Sequence, residues 1–144
     1  MKALFLKSAM VEISVCRAAL GRDEDFVMRL IESGGLKFAF NIAAPKTRRA
    51  EVRVLSLSLL DHINGTSSQP SKLDDAIRYA TVADVFREVQ SRTLSRNWSV
   101  SSSHITKLIS AGCLALAQSP AHSRAGRLVT LQSARAFLAE RRIA

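Results

Sequence analysis

The sequence contains few of the residues that build redox or metal sites. Its 144 residues include only two cysteines, Cys16 and Cys113, which lack the CxxC spacing of metal and redox motifs. Both lie in apolar surroundings, so we expect buried, reduced thiols rather than a disulfide. The three histidines, His62, His104 and His122, show no metal-ligand spacing. The sequence therefore predicts neither a metal site nor a bound cofactor.

Long apolar runs and catalytic motifs are also absent from the sequence. No stretch approaches the ~20 apolar residues of a membrane-spanning helix. The apolar start is interrupted by Lys7 and Glu12, which is not expected of a signal peptide. There is no glycine-rich phosphate loop and no nucleophile elbow. We therefore expect a non-enzymatic protein of the cytoplasm, associated with a bacterial or phage nucleoid.

Positive charge is what the chain has in excess. It carries 21 Lys and Arg against 12 Asp and Glu, a net charge of +9 at pH 7. Residues 1–70 hold ten basic and seven acidic side chains, whereas residues 71–144 hold eleven and five. This imbalance favours a polyanionic partner, most often nucleic acid and less often a membrane surface. The second half is expected to be the stronger phosphate binder.

One pattern occurs twice, 78 residues apart. Asp23–Leu36 and Ser101–Leu114 each begin with a helix-capping residue, carry apolar residues at helical spacing and have a helix-ending glycine two residues before the final leucine. Between the two copies, residues 64–71 are small or polar and include Gly and Pro, as is typical of a linker. The sequence thus predicts two units, residues 1–63 and 72–144, joined by a linker at residues 64–71.

The first unit is predicted to contain two helices, a hairpin and a closing helix. Helical spacing predicts a helix that is capped by Ser8, runs through Leu20 and is ended by Gly21, and a second helix capped by Asp23. Alternating apolar residues predict a half-buried hairpin over residues 36–55. A closing helix follows, with Ile63 among its inward residues.

The second unit is predicted to begin with a short helix over residues 72–79. A helix from Thr81 to about Ser91, a loop over residues 92–100 and the helix that starts at Ser101 come next. A second hairpin over residues 114–130 and a helix over residues 131–140 precede a frayed tail. Trp98 is expected to cover the core between two helices, with stacking on a base as the less favoured alternative.

Each unit follows the order helix, turn, helix, β-hairpin, helix. The predicted fold class is α+β, mostly helical, with two tandem winged helix-turn-helix units. The small winged-helix domains of phage excisionases and the related MerR-type regulators resemble the strings "MRLIESGGLKFAFNIA … VRVLSLSLLDHI" and "ITKLISAGCLALA … GRLVTLQSARAFLAERR". The resemblance covers roughly residues 10–63 and 81–142, and it implies binding to double-stranded DNA in site-specific recombination or transcription control. Excisionases are the better match, because no long coiled-coil helix follows as in MerR-type regulators.

The candidate DNA contacts have donor-bearing side chains on the predicted recognition helices and wings. In the second unit they are Ser102, Ser103, His104, Thr106, Lys107 and Ser110 on the helix, and Arg124 and Arg127 on the wing. In the first unit they are Arg29 on the helix and Lys46, Arg48, Arg49 and Arg53 on the wing. For His104 a solvated side chain is an equal alternative, and for Lys46 to Arg49 a solvated loop is the less favoured one.

The second helix of the first unit starts with acidic residues, unlike its counterpart. Asp23, Glu24 and Asp25 would repel phosphates while stabilising the helix N-terminus. Plain helix capping and docking of a protein partner, such as a recombinase, are both open for this segment. The acidic start and the exposed hairpin edges motivate an alternative function, a protein-interaction module such as an anti-activator.

Overall fold

The computed structural model describes residues 8–66, 72–81, 88–117 and 128–143. Along these residues the chain is α+β, with seven helices and two antiparallel sheets, of order β1-β3-β2 and β4-β5. The elements are β1 (Met10–Glu12), α1 (Ile13–Leu20), α2 (Glu24–Glu32), β2 (Ala39–Asn41), β3 (Val52–Leu55), α3 (Ser56–Asn64), α4 (Leu73–Ala80), β4 (Glu88–Gln90), α5 (Ser91–Asn97), α6 (Ser102–Ser110), β5 (Leu128–Thr130) and α7 (Leu131–Glu140). None of these helices is long and apolar enough to cross a membrane.

The repeat predicted from the sequence is present in the structure. The segments β1-α1-α2 and β4-α5-α6 have the same order and lengths within one residue, offset by 78 positions. Gly21 and its equivalent Ser99 both adopt left-handed backbone, with φ of 65° and 53°. This conformation lets the chain turn sharply between the two helices of each unit. The second turn has Ser99 where the first has Gly21. Because it lacks glycine, it was not recognised from the sequence as the counterpart of the first turn.

The predicted helix caps at both copies are confirmed. Asp23 Oδ1 accepts a hydrogen bond from the Phe26 amide at 2.9 Å, and Ser101 Oγ accepts one from the His104 amide at 3.2 Å. At the other end of these helices, the Gly35 amide donates to Leu30 O and the Cys113 amide donates to Leu108 O, both at 2.9 Å. These bonds satisfy backbone groups that a helix end otherwise leaves unpaired.

Two helix predictions fail where each misses a strand of three residues. The predicted end of the first helix, at Leu20 with Gly21 as its cap, is confirmed. Residues 82–87 of the second predicted helix lie outside the described residues. The chain from Met10 to Glu12 pairs with β3, so the helix predicted from Ser8 begins only at Ile13. In the second unit, β4 occupies residues 88–90, where the helix from Thr81 was expected, and pairs with β5. The predicted loop over residues 92–100 contains α5 instead. A three-residue strand is too short to display the alternation that would identify it.

The first hairpin is confirmed, with Ala39 opposite Val54, but it is not half-buried. Ala39 and Phe40 are both 0% exposed, although they point to opposite faces of β2. Phe38, with φ of 61°, breaks the alternation just before the strand. The sheet of the first unit is therefore covered on both faces.

The two faces of this sheet belong to different hydrophobic cores. One core lies within the first unit and includes Cys16, Val27 and Ile31. The larger core joins Met10, Phe38, Phe40, Ile42 and Leu55 of the first unit to residues of α4–α7 and β4–β5. The division into units at residues 64–71 stays a prediction, and α3 extends to Asn64 at its edge. What the structure adds is that the two units pack on a shared core.

The C-terminal helix and tail complete this packing. The helix predicted over residues 131–140 is confirmed with those bounds. The tail predicted to be frayed instead pairs with β2, because the Asn41 amide donates to Arg141 O at 2.9 Å and the Ile143 amide donates to Ala39 O at 2.8 Å. This pairing covers the β2 edge that was expected to be exposed. Ile63, expected to face inward, is 38% exposed.

Trp98 covers the shared core, as predicted. It is fully buried, its Nε1–H donates to Ala80 O at 2.8 Å, and its ring stacks on Phe137 with centroids 5.8 Å apart. A buried indole needs such a hydrogen bond, since an unpaired N–H in the interior is costly. Trp98 is therefore a structural residue rather than a platform for a base.

Candidate nucleic-acid interface

Helix α6 is held by its apolar side and presents small polar groups on the other. Ile105 and Leu108 are fully buried in the shared core. The side chains that remain exposed are Ser102, Ser103, Thr106, Lys107 and Ser110. Because most of them are short, a flat or grooved partner can approach the helix backbone closely.

The equivalent helix of the first unit presents a different surface. At the positions that correspond to this exposed face, α2 carries Glu24, Asp25, Met28, Arg29 and Glu32. Over the equivalent segments 13–32 and 91–110, the formal charge is −1 in the first unit and +3 in the second. The same helix pair is thus acidic in one copy and basic in the other. Only the second copy has the charge that suits a polyanion.

Arg29 illustrates this difference. It is the equivalent of Lys107 and is exposed, but its Nε–H donates to the Asp25 carbonyl oxygen at 3.4 Å within its own helix. Glu32 lies one turn further on. Neighbouring carboxylates weaken the attraction of a cation for phosphate. We therefore place Arg29 outside the candidate interface.

His104 does not face solvent freely, as the alternative for it assumed. Its Nε2 lies 2.6 Å from the carbonyl oxygen of Ile42, in the segment that follows β2. A carbonyl oxygen can only accept, so this nitrogen carries the proton. His104 thus joins the first turn of α6 to the first unit, and a direct contact with DNA through this atom is not available while the bond is made.

Arg53 was predicted as a wing contact with DNA, and this prediction is wrong because the residue is buried. It is 6% exposed, and its Nε–H donates to Trp98 O at 3.0 Å. Its Nη1 lies 3.3 Å from a carboxylate oxygen of Glu51. Alternation correctly placed Arg53 on one face of β3, but that face is covered by the second unit. The remaining wing residues Lys46, Arg48 and Arg49 are exposed.

The loop that carries these three cations has a defined base. Asn41 Oδ1 accepts hydrogen bonds from the Ala43 amide at 3.2 Å and from the Glu51 amide at 3.0 Å, which ties its two sides together. Thr47 Oγ1 donates to Ala44 O at 2.6 Å, and Lys46 takes left-handed backbone with φ of 67°. The loop is therefore a folded turn with its basic side chains directed to solvent.

Sequence reasoning missed two further cations next to α6. Arg92 and Arg96 are exposed on α5, which packs against α6, and they are four residues apart and so lie on one side of the helix. They were overlooked because this segment was taken for a loop. Extending the 78-residue offset back through residues 13–20 would have placed them on a helix. Arg124 and Arg127, predicted for the second wing, lie outside the described residues.

Other reactive groups on the described residues do not form a site around α6. No group of three or more His, Cys, Asp or Glu side chains along them is arranged to hold a metal ion. Burial raises the pKa of the Cys16 thiol to about 12, which keeps it neutral at physiological pH. The second thiol, Cys113, is half-buried.

Comparison of the chain with protein-family models, with curated proteins and with solved structures gives no match. The similarity to excisionases therefore rests on the sequence strings alone.

Proposed function

We propose that the chain is a non-enzymatic, sequence-specific protein that binds double-stranded DNA through two tandem winged helix-turn-helix units. It would act as an excisionase-like recombination directionality factor or as a transcriptional regulator. The order strand, helix, helix, hairpin and the sheet order β1-β3-β2 support this assignment. The observation that carries it is the contrast between the acidic face of α2 and the polar, acid-free face of α6 at equivalent positions.

In this proposal α6 is the recognition helix. Its exposed serines donate to base edges or phosphates, and Lys107 adds a cation about one and a half turns from the start of the helix. The Thr106 hydroxyl donates to Ser102 O at 3.1 Å, so its oxygen is assigned as an acceptor from a base edge. The helix N-terminus contributes amide groups and a positive dipole end that favour a phosphate. Helix α5, the first helix of the pair, crosses the DNA backbone in such units, so Arg92 and Arg96 are assigned to phosphate contacts.

Binding to duplex DNA of random sequence tests the proposal. A basic winged-helix protein should bind nonspecifically at micromolar concentration in low salt, and its affinity should fall linearly with salt on logarithmic axes. The variant K107A should bind more weakly and show a salt slope smaller by about one. Fluorescence anisotropy of a labelled duplex of about 24 base pairs measures both quantities. Absence of binding at low salt would overturn the proposal.

A second candidate function is binding of a protein partner through α2. Asp23 supplies the side-chain cap of this helix, so Glu24 and Asp25 are not needed for capping. Both of these residues are exposed. Together with Glu32 they give α2 an acidic face suited to a basic protein surface. A chain that fails to bind duplex DNA at low salt would favour this candidate, in the manner of an anti-activator.

A further inference from the structure

We propose that α6 and the basic loop of the first unit, residues 45–49, form one continuous surface that holds a single short stretch of duplex. This inference rests on the proposed function and specifies how the duplex is held. It differs from the arrangement expected of two units on a linker, in which each unit would contact its own half-site about one helical turn, ~34 Å, apart.

The loop is attached beside the start of α6. The His104 Nε2–H donates to Ile42 O at 2.6 Å, and Arg141 Nη1 donates to Ala43 O at 3.2 Å. Ala44 packs against the shared core, and the exposed turn begins immediately after it. The second unit therefore fixes the root of a loop that belongs to the first.

The relative position of loop and helix is set by buried contacts. The Ser99 hydroxyl, in the turn that precedes α6, donates to Met10 O at 2.6 Å. Arg53, in the strand that follows the loop, is hydrogen-bonded to Trp98 and Ser99. Met10 and Trp98, whose carbonyl oxygens accept two of these bonds, both belong to the shared apolar core. Because cores are close-packed and resist deformation, the two units cannot swing independently on a linker.

Chain dimensions place both features within reach of one duplex site. Lys46 is four residues beyond Ile42, a span of at most ~14 Å. Helix α6 has nine residues, which corresponds to a length of about 13 Å. Their combined length of roughly 27 Å covers about eight base pairs, at ~3.4 Å each. Loop and helix therefore fit within one turn of DNA.

The combined surface carries basic and uncharged side chains and no acidic one. Loop residues 42–50 contain three basic and no acidic side chains, and α6 likewise contains no acidic residue. The nearest acid in sequence after the loop, Glu51, is paired with Arg53 at 3.3 Å. The first unit thus contributes cations through its loop while its acidic α2 takes no part. In this arrangement the basic loop of the first unit contacts the DNA beside α6 of the second unit.

Binding to duplexes of 12 and 24 base pairs with the full chain tests this surface. R48A/R49A should weaken binding to the 12-base-pair duplex roughly tenfold or more in low salt and reduce the salt slope by up to about two. The double variant R17A/R29A is the control, because it removes the same charge from exposed positions of the same unit. It should change the affinity less than threefold. Unchanged urea midpoints verify that all variants remain folded.

The outcomes separate this inference from the proposed function. If K107A weakens binding to the short duplex and R48A/R49A does so as well, the single surface is supported. If K107A weakens it but R48A/R49A acts only on the longer duplex, the single surface is overturned and DNA binding by α6 stands. If neither variant changes binding to either duplex, the single surface and the assignment of α6 as the recognition helix are both overturned. DNA binding itself is overturned only if the wild-type chain fails to bind at low salt.

Discussion

Arg53 in β3 donates two hydrogen bonds to the carbonyl oxygen of Ser99, from Nε at 3.3 Å and from Nη2 at 3.0 Å. The two residues belong to different units and are 46 positions apart in sequence. Ser99 lies in the left-handed turn between α5 and α6, so the Arg53 guanidinium is hydrogen-bonded to the turn that orients α6. A residue expected to bind DNA thus positions the helix proposed to do so.

Replacing Arg53 with alanine should destabilise the whole chain. The substitution leaves the Trp98 and Ser99 carbonyl oxygens without this buried donor, and we expect the free energy of unfolding to fall by about 2 to 4 kcal/mol. Urea unfolding measures this change. R49A, in the exposed part of the same hairpin, should lie within about 0.5 kcal/mol of the wild type. Equal effects of the two substitutions would contradict the structural role of Arg53.

Unfolding of the first unit should be detected by a tryptophan in the second. Ile31 lies in the core that is formed within the first unit, and I31V should lower the free energy of unfolding by about 1 kcal/mol. Because the units share their larger core, the urea midpoint of Trp98 fluorescence should shift together with that of the far-ultraviolet circular dichroism. A dichroism shift with an unmoved fluorescence midpoint would mean that the units unfold separately.

The two thiols should differ in reactivity. Cys16 is fully buried with a pKa raised to about 12 by burial, so almost no thiolate is present at pH 8. Cys113 is half-buried and should react with an alkylating reagent well before Cys16 does. Mass spectrometry of the native and the urea-unfolded chain follows the two sites. Labelling of both at equal rates in the native chain would contradict the burial of Cys16.

The same burial gives a pH dependence of known sign. In the unfolded chain Cys16 ionises near its ordinary pKa of about 9.0. In the folded chain it ionises only near 12. The unfolded state is therefore stabilised as the pH rises between these values, and the contribution of Cys16 to stability is lost across that range. C16A should reduce this part of the alkaline destabilisation.

The local features of the repeat could be predicted from the sequence, because they depend on neighbouring residues. Asp23, Ser101, Gly34 and Gly112 specify helix ends through bonds that span no more than five or six positions. Helix α7 was predicted with its observed bounds for the same reason. The strands β1 and β4 were missed, since three residues carry too little periodicity to distinguish strand from helix.

The contacts between the units could not be predicted from periodicity. Arg53 and His104 were correctly assigned to a strand face and to a first helical turn, yet the partners that occupy them are 45 and 62 residues away in sequence. Phe38 and Phe40 indicated that one face of the strand is buried. No pattern in the neighbouring residues indicated that the second unit packs on that face. Arg92 and Arg96 were missed because the turn equivalent to Gly21 contains Ser99.

In the proposed function α6, and not its counterpart α2, contacts DNA. The variant S102E/S103D gives α6 the acidic start that α2 has at Glu24 and Asp25. Acids in the first turn stabilise a helix, so the fold should be unharmed or slightly more stable. Two carboxylates placed near phosphates should each cost about 1 kcal/mol or more of binding, roughly 30-fold together.

The reciprocal variant E24S/D25S serves as the matched control, because it changes the same two positions in the other copy. The decisive measurement is the affinity of both variants for a random duplex at low salt, by fluorescence anisotropy. We predict a loss of roughly 30-fold for S102E/S103D and no loss for E24S/D25S. An S102E/S103D variant that is folded and binds as tightly as the wild type would contradict the assignment of α6 as the recognition helix.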